Sequence, residues 1–274
     1  MEIANTDAAK AWDGYDGEHW TVHEEHYNAS MRPHTSHLFA AAGITADDDV
    51  LDVGCGCGDT TRQAARTARS ALGVDLSSRM LARATERAAV DGLSNVSFRR
   101  ADAQVEPFAP VDVVISRFGV MFFADSLAAF ANLRRSTRPG GRLAVLTWQS
   151  LERNAWLSTV RDSLAAGREL PLPPPGAPWP MSLADPDFVR DLLDRVGWSG
   201  VEFVDIAEPM YWGADLDEAM AFASTLGAAR GLLADLDAAT QAMALDALRS
   251  GLDRFAGPDG VLIDSRAWVI TAHC

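Results

Sequence analysis

The stretch Val50-Leu51-Asp52-Val53-Gly54-Cys55-Gly56-Cys57-Gly58-Asp59-Thr60-Thr61 constrains the fold more than any other part of the chain. Its apolar first half reads as a buried strand, which runs through a glycine-rich turn straight into a helix starting near Asp59. Glycines at alternate positions let the backbone turn tightly and let a ligand approach main-chain N–H groups. The helix N-terminus points its positive end at the same spot. Such a loop is built to hold a small polar or anionic molecule.

The third glycine separates two ligand classes. A dinucleotide fingerprint is G-x-G-x-x-G, with its last glycine beside a pyrophosphate. Here the pattern is Gly54-x-Gly56-x-Gly58, and Asp59 stands where the last glycine belongs. Asp52, on the strand just before the loop, suits a ligand that carries positive charge and makes little sense beside a pyrophosphate. Later segments extend the pattern. Ala71-Leu72-Gly73-Val74-Asp75-Leu76-Ser77 is an apolar strand ending in an acid about twenty residues after the first glycine, where a carboxylate can take both hydroxyls of a ribose. Arg99-Arg100-Ala101-Asp102-Ala103-Gln104 follows, then the strand Val111-Asp112-Val113-Val114-Ile115-Ser116-Arg117-Phe118. Leu133 to Leu143 supplies a helix, the Pro139-Gly140-Gly141 turn and a fifth strand.

In this order the motifs resemble those of class I S-adenosylmethionine-dependent methyltransferases, specifically between Val50 and Thr147 and loosely from Trp12 to Ala272. The resemblance implies S-adenosylmethionine as cofactor, with S-adenosylhomocysteine as product. It implies cofactor-binding roles for Asp52, Gly54, Cys55 and Gly56 at the loop, and for Asp75 and Leu76 at the ribose. Met80, one turn into the next helix, lies on the adenine or fills the core. Asp102, Ala103 and Gln104 meet the adenine. Ser116 and Arg117 follow the fourth strand. A guanidinium there clamps a carboxylate or anion through two parallel bonds, or pairs with a neighbouring helix. The Asn/Asp-Pro-Pro-aromatic motif of nucleic-acid amino-methyltransferases and the Pro-Cys signature of cytosine C5 enzymes are both absent.

Residues 1–45 form a predicted N-terminal cap that holds five of the six histidines. A helix is expected from Glu18 to about Ser30, broken by Pro33, with a second running to Ala42 and stopped at Gly43. His19, His23 and His26 then share one helix face at i, i+4 and i+7. That spacing suits a shared zinc ion, yet no partner ligand is placed by sequence, and no metal is expected. The same histidines fit a packed or wet helix face. In related methyltransferases this segment often folds over the active site, and on that reading Trp20 and Tyr27 cover the cofactor while His23 or His34 takes a substrate proton.

Residues 46–150 alternate strand and helix, which predicts an α/β, doubly wound, seven-stranded and mostly parallel sheet. Residues 151–274 complete it with strands at 201–206 and 267–272, the last entering antiparallel between the fifth and sixth as the resemblance implies. Helices at 151–166 and 216–255 are expected to form a lid or shape the substrate site. The proline run Leu170 to Pro180 is a loop.

The net charge of -14, from 38 acids against 24 bases, opposes a nucleic-acid partner unless a local basic patch outweighs it. Eight arginines lie between Arg62 and Arg100 with the spacing of outer helix faces. No apolar run reaches the roughly 18 residues of a membrane helix. The start Met1-Glu2-Ile3-Ala4-Asn5 lacks a basic segment followed by an apolar one, so a cytoplasmic monomer or homodimer is expected. Cys55 and Cys57 are too close for an unstrained disulfide, and Cys274 stands alone.

The expected activity is methyl transfer to an O, N or C nucleophile of a small molecule. Trp148, Trp156, Trp179 and Tyr211 point to an apolar or aromatic acceptor of the phenolic or polyketide type. The alternative keeps the cofactor and drops the methyl transfer, leaving a structural ligand or a non-methylating step such as cyclisation. A metal-using hydrolase built on the histidines leaves the glycine loop without a role.

Overall fold

Apolar runs that alternate with amphipathic helices fold as parallel strands, because helices packed on both sheet faces bury every strand side chain. The computed structural model describes residues 3–174 and 176–274, so the expectations for the extreme N-terminus and the centre of the proline run fall partly outside the described residues. Three helices come first: α1 (Thr6–Asp13), α2 (Tyr15–Val22) and α3 (Glu24–Ala42). The core follows as β1 (Asp49–Val53), α4 (Asp59–Ala65), β2 (Ser70–Asp75), α5 (Ser78–Val90), β3 (Val96–Arg100), β4 (Val111–Arg117), α6 (Ser126–Arg135) and β5 (Thr137–Trp148). Then come α7 (Ala155–Leu164), α8 (Pro186–Arg195), β6 (Ser199–Ile206), β7 (Met210–Gly213), α9 (Leu216–Thr225), α10 (Gly227–Leu233), α11 (Ala238–Asp253), β8 (Ala256–Gly257), β9 (Gly260–Ile263) and β10 (Ala267–His273).

The main sheet has seven strands in the order β3-β2-β1-β4-β5-β10-β6. β10 runs antiparallel to both of its neighbours and the remaining pairs are parallel. β1 lies inside the sheet with β2 on one side and β4 on the other, so the strand order reverses there. A sheet of this kind opens a crevice at that reversal, beyond the carboxyl ends of the strands.

The N-terminal cap departs from the expected break. Pro33 sits inside the unbroken helix α3. Tyr27, Met31, His34, Leu38 and Ala42 are all buried at helical spacing, and that stripe packs α3 against β4, β5 and β10. Its burial outweighs the hydrogen bond that proline cannot make. The interruption falls ten residues earlier, at His23, which ends α2 and begins α3 with φ -101° and ψ 23°. His19 and His26 therefore lie on different helices.

Smaller departures also have local causes. α4 ends at Ala65, the Thr67 and Ala68 N–H groups close its last turn on the Ala64 carbonyl, and the Arg69 N–H then turns to the Asp48 carbonyl where β2 starts. Pro139-Gly140-Gly141 forms a bulge within β5, where Val111 pairs with Thr137 and Val113 with Arg142. A three-stranded sheet, β7-β9-β8, was not expected at all, and α9 packs against β7. No helix among the described residues is long and apolar enough to cross a membrane.

Candidate active site

β1 delivers the glycine loop into the crevice. Gly54 has φ +68°, and a Cβ there would come within 2.9 Å of the Gly119 Cα, so only glycine lets this turn touch the turn after β4. Gly58, at φ +78°, meets the Ala84 methyl and the Phe98 ring in the same way, which lets α4 start against α5 and β3. The Gly56 N–H donates to Asp75 Oδ2 at 2.8 Å, and the Ser77 N–H donates to Oδ1 at 2.9 Å. Each carboxylate oxygen thus accepts one backbone bond and keeps further lone pairs. Burial raises the Asp75 pKa against those two bonds.

A cavity of about 400 Å³ opens along this loop. Of the residues expected from the sequence, its wall brings together Trp20, Tyr27, Gly54, Cys55, Gly56, Asp75, Leu76, Met80, Asp102, Ala103 and Arg117. Trp20 and Tyr27 stack face to face at 3.7 Å. The rest of the wall is largely aromatic. Phe118, held at φ +59° where β4 ends, stacks on Trp148 at 3.8 Å, and Trp156, Trp212 and Phe222 complete this part. A bulky side chain in the left-handed region is strained, and such strain gathers where a side chain must be aimed into a site.

Five expected residues do not reach the wall: Asp52, Gln104, Ser116, His23 and His34. Asp52 is fully buried behind the loop, where the Thr60 and Thr61 hydroxyls both donate to Oδ2 at 2.6 Å. Oδ1 has no partner among the described residues, and burial pushes the pKa up to about 6. Ser116 ties the end of β4 to β1 by donating to the Val53 carbonyl at 2.7 Å. Gln104 accepts the Asp125 N–H through its side chain. His34 is fully buried beside Phe118 and Trp148, with Nε2 3.0 Å from Ser265 Oγ, and desolvation holds its pKa at about 4. His23 lies outside the wall, its ring 4.4 Å from that of His19 and tilted by 35°. Trp179 and Tyr211 also lie outside the wall.

Two lining residues have different partners from those expected. The Arg117 guanidinium is engaged within the protein, with Nη1 3.0 Å from both Asp59 Oδ2 and Thr35 Oγ1, and Nη2 2.8 Å from Asn28 Oδ1. Asp102 Oδ2 accepts the N–H groups of Ala4 and Asn5 at 3.0 and 2.9 Å, while Oδ1 accepts that of Gln104. The N-terminal segment is thereby pinned over the cavity. Asp13 adds bonds to Ser78 and Arg100, and buried Glu24 adds ion pairs to Arg83 and Arg87.

Sequence reasoning missed Asp16, His19, Phe118, Trp212 and Phe222 in the wall. His19 was seen as one of three spaced histidines, but its position follows from the break at His23, which no residue type signals. Its Nδ1 lies 3.1 Å from Tyr27 Oη and its Nε2 2.8 Å from Thr225 Oγ1. Asp16 is the clearer signal in retrospect, an acid three residues before that histidine. Burial raises its pKa against the opposing pull of Arg230.

The charge of the wall is one-sided. Asp16, Glu24, Asp59, Asp75 and Asp102 line it, and Arg117, already paired with Asp59, is its one lysine or arginine. A ligand bearing a positive charge fits this lining, whereas a phosphate finds no unpaired cation there. Among the described residues no group of three or more His, Cys, Asp or Glu is arranged to hold a metal ion.

Residues 50–141 match a family model described as "Methyltransferase domain". An uncharacterized protein of Mycobacterium tuberculosis H37Rv is 42% identical over 120 residues, 43% of this chain and 43% of that one. Demethylmenaquinone methyltransferase of Tropheryma whipplei strain Twist is 34% identical over 104 residues, 38% of this chain and 43% of that one. Each match thus spans less than half the relative's length. Phosphoethanolamine N-methyltransferase 2 of Haemonchus contortus, solved with S-adenosyl-L-methionine, superposes with a TM-score of 0.60 at 18% identity, covering 99% of this chain and 60% of that one. A likeness at that identity speaks for the fold.

Proposed function

We propose that this chain, whose residues 50–141 form a methyltransferase domain, acts as a class I S-adenosylmethionine-dependent methyltransferase and transfers a methyl group from S-adenosylmethionine to a nucleophilic atom of a neutral, largely apolar small molecule. The observation that carries this reading is the composition of the cavity wall: acids and a glycine loop beside aromatic rings, with no unpaired cation. Acids suit the sulfonium and ammonium groups of the cofactor. The aromatic part suits an apolar acceptor, and the occupied Arg117 argues against a phosphorylated one.

The residues present fit the cofactor. Asp75 keeps lone pairs for two ribose hydroxyls, Met80 and Leu76 offer apolar surface to a purine, and Gly54 and Gly56 leave the loop open where a side chain would stand. Asp102 supports adenine binding indirectly, by fixing the N-terminal segment. When bound, the cofactor supplies an already activated methyl group, so the protein's work is alignment and the exclusion of water. Stacked Trp20 and Tyr27 close the cavity on the cap side. The aromatic wall holds the acceptor by apolar contact, and the strained Phe118 fixes one ring of that wall against Trp148.

Calorimetric titration with S-adenosylmethionine and S-adenosylhomocysteine tests the reading at its base. The wild type should bind both in the micromolar range. Asp75→Ala removes charge-assisted bonds worth about 1.5–3 kcal/mol each, and should weaken binding at least about tenfold. If the wild type bound neither ligand, the loop would need another occupant.

A further inference from the structure

Thr225 sets the direction of a hydrogen-bond chain in the cavity wall. With its one proton directed at the Phe222 carbonyl at 2.8 Å, and the Ala221 carbonyl at 3.3 Å beside it, the hydroxyl accepts from His19 Nε2. His19 therefore carries its proton on Nε2 and presents Nδ1 as a bare lone pair, a tautomer assigned by the network. Tyr27 Oη lies 3.1 Å from that nitrogen, so the phenol donates to it. Its oxygen then has only lone pairs left to offer a ligand. A polar group that meets Tyr27 in the cavity must bring a hydrogen of its own.

We propose that Tyr27 takes the proton of the methyl acceptor while passing its own phenolic proton to His19 Nδ1, and that the acceptor is a hydroxyl compound. This rests on the methyltransferase reading above. As the new O–CH3 bond forms, the acceptor's O–H bond breaks and its proton moves to Tyr27 Oη. The former Tyr27 proton ends on Nδ1, and His19 keeps its Nε2–H on Thr225. The positive charge that enters with the methyl donor thus leaves the reacting atoms as a proton on His19. The Asp16 carboxylate lines the same wall.

The surroundings of His19 favour oxygen over nitrogen. The His23 ring lies 4.4 Å from it at a 35° tilt, with Tyr15 at 5.9 Å and Phe222 at 6.0 Å. Burial, followed by the charges of His23, His26 and Arg230, holds its pKa at about 4. Imidazole of that basicity readily takes a proton from a newly methylated hydroxyl, which is a strong acid. It takes none from a methylated alkylamine, which is a weak acid.

The first test needs no acceptor. Long-range nitrogen–proton NMR of the ring nitrogens should show His19 as the Nε2–H tautomer. Its Nδ1 signal should shift in Tyr27→Phe, which keeps the ring stacked on Trp20. An Nδ1–H tautomer overturns the proposal. The second test uses labelled S-adenosylmethionine with naphthols, catechols and hydroxynaphthoquinones, each beside an arylalkylamine of similar shape.

The hydroxyl compounds should be methylated and the amines should not. Tyr27→Phe and His19→Gln should lower kcat about 100-fold or more, with KM and S-adenosylhomocysteine affinity held within about threefold. The acid limb of the wild-type pH profile, below the ordinary histidine range, should vanish in His19→Gln. Variants within about threefold of wild-type kcat overturn the proposal. So does methylation of amines alone, or of nothing in the panel by a wild type that binds S-adenosylhomocysteine. A wild type that does not bind it overturns the methyltransferase reading instead.

Discussion

Asp59 holds Arg117 at 3.0 Å, and the acid that replaces the third glycine of a dinucleotide loop is thereby the partner of the strongest cation in the cavity. The pair is mostly buried, with Arg117 9% and Asp59 20% exposed. The same guanidinium also bonds Asn28 and Thr35 of α3, so one side chain joins the cap, β4 and α4. Removing it leaves the Asp59 carboxylate to Gln63 and the more distant Arg62, and takes a donor from Asn28 and Thr35. Arg117→Ala should cost about 3 kcal/mol in denaturant unfolding, and Arg117→Lys should recover less than half, because an ammonium cannot reproduce the fork. A loss below about 1 kcal/mol would show that water replaces these bonds freely.

Asp52 should make stability depend on pH in the direction opposite to most carboxylates. Burial lifts its pKa from 3.8 to about 6, even with two threonine hydroxyls on Oδ2. A folded pKa above the unfolded one means that the folded chain holds the proton more tightly. Its contribution is complete below the unfolded pKa and is lost as pH rises through about 6. Two units correspond to roughly 3 kcal/mol. Asp52→Asn removes this titration while keeping an oxygen for both hydroxyls. Between about pH 4 and pH 8 its unfolding free energy should therefore gain roughly 2–3 kcal/mol on the wild type. Parallel curves would mean that Asp52 does not titrate in that window.

Asp102 spends its carboxylate on the chain's own N-terminus. Two backbone N–H groups donate to Oδ2, and the Asn5 side chain adds a bond to the Phe122 carbonyl at 2.7 Å. Bonds to a charged acceptor are worth about 1.5–3 kcal/mol each. Asp102→Ala should speed amide exchange across α1 at least about tenfold in mass-spectrometric labelling, with β1 and β2 unchanged. Unaltered exchange in α1 would mean that Asp13, through Ser78 and Arg100, anchors the segment alone.

The sheet and the glycine loop were legible in the sequence because both are local. Strand period, glycine spacing and the acid at the end of β2 are each set within a few residues. The expected antiparallel last strand sits where the resemblance implied, between β5 and β6. The far wall of the cavity was not legible, because its contacts join distant parts of the chain. His19 meets Thr225 across 206 positions, and Phe222 faces His19, His26 and Tyr27 from an insertion with no motif of its own. Arg117 shows the same limit. Its strand was read correctly, but nothing short of the fold could show that Asp59, Asn28 and Thr35 would fill its fork.

At Pro33 a strong local rule lost to packing. A proline inside a helix lacks the N–H that would bond the carbonyl four residues earlier, here Ala29, and its ring crowds that carbonyl, at a cost of about 3 kcal/mol. The helix persists because the buried stripe from Tyr27 to Ala42 is held against the sheet, and the cavity depends on the same stripe for Tyr27. Pro33→Ala should restore the missing bond and relieve the crowding, raising stability by about 1–3 kcal/mol. The gain is smaller than the full penalty, because alanine also frees the unfolded chain. Thermal and denaturant unfolding check this. A destabilised Pro33→Ala would mean that the bend imposed by the ring is itself needed to seat α3 on the sheet.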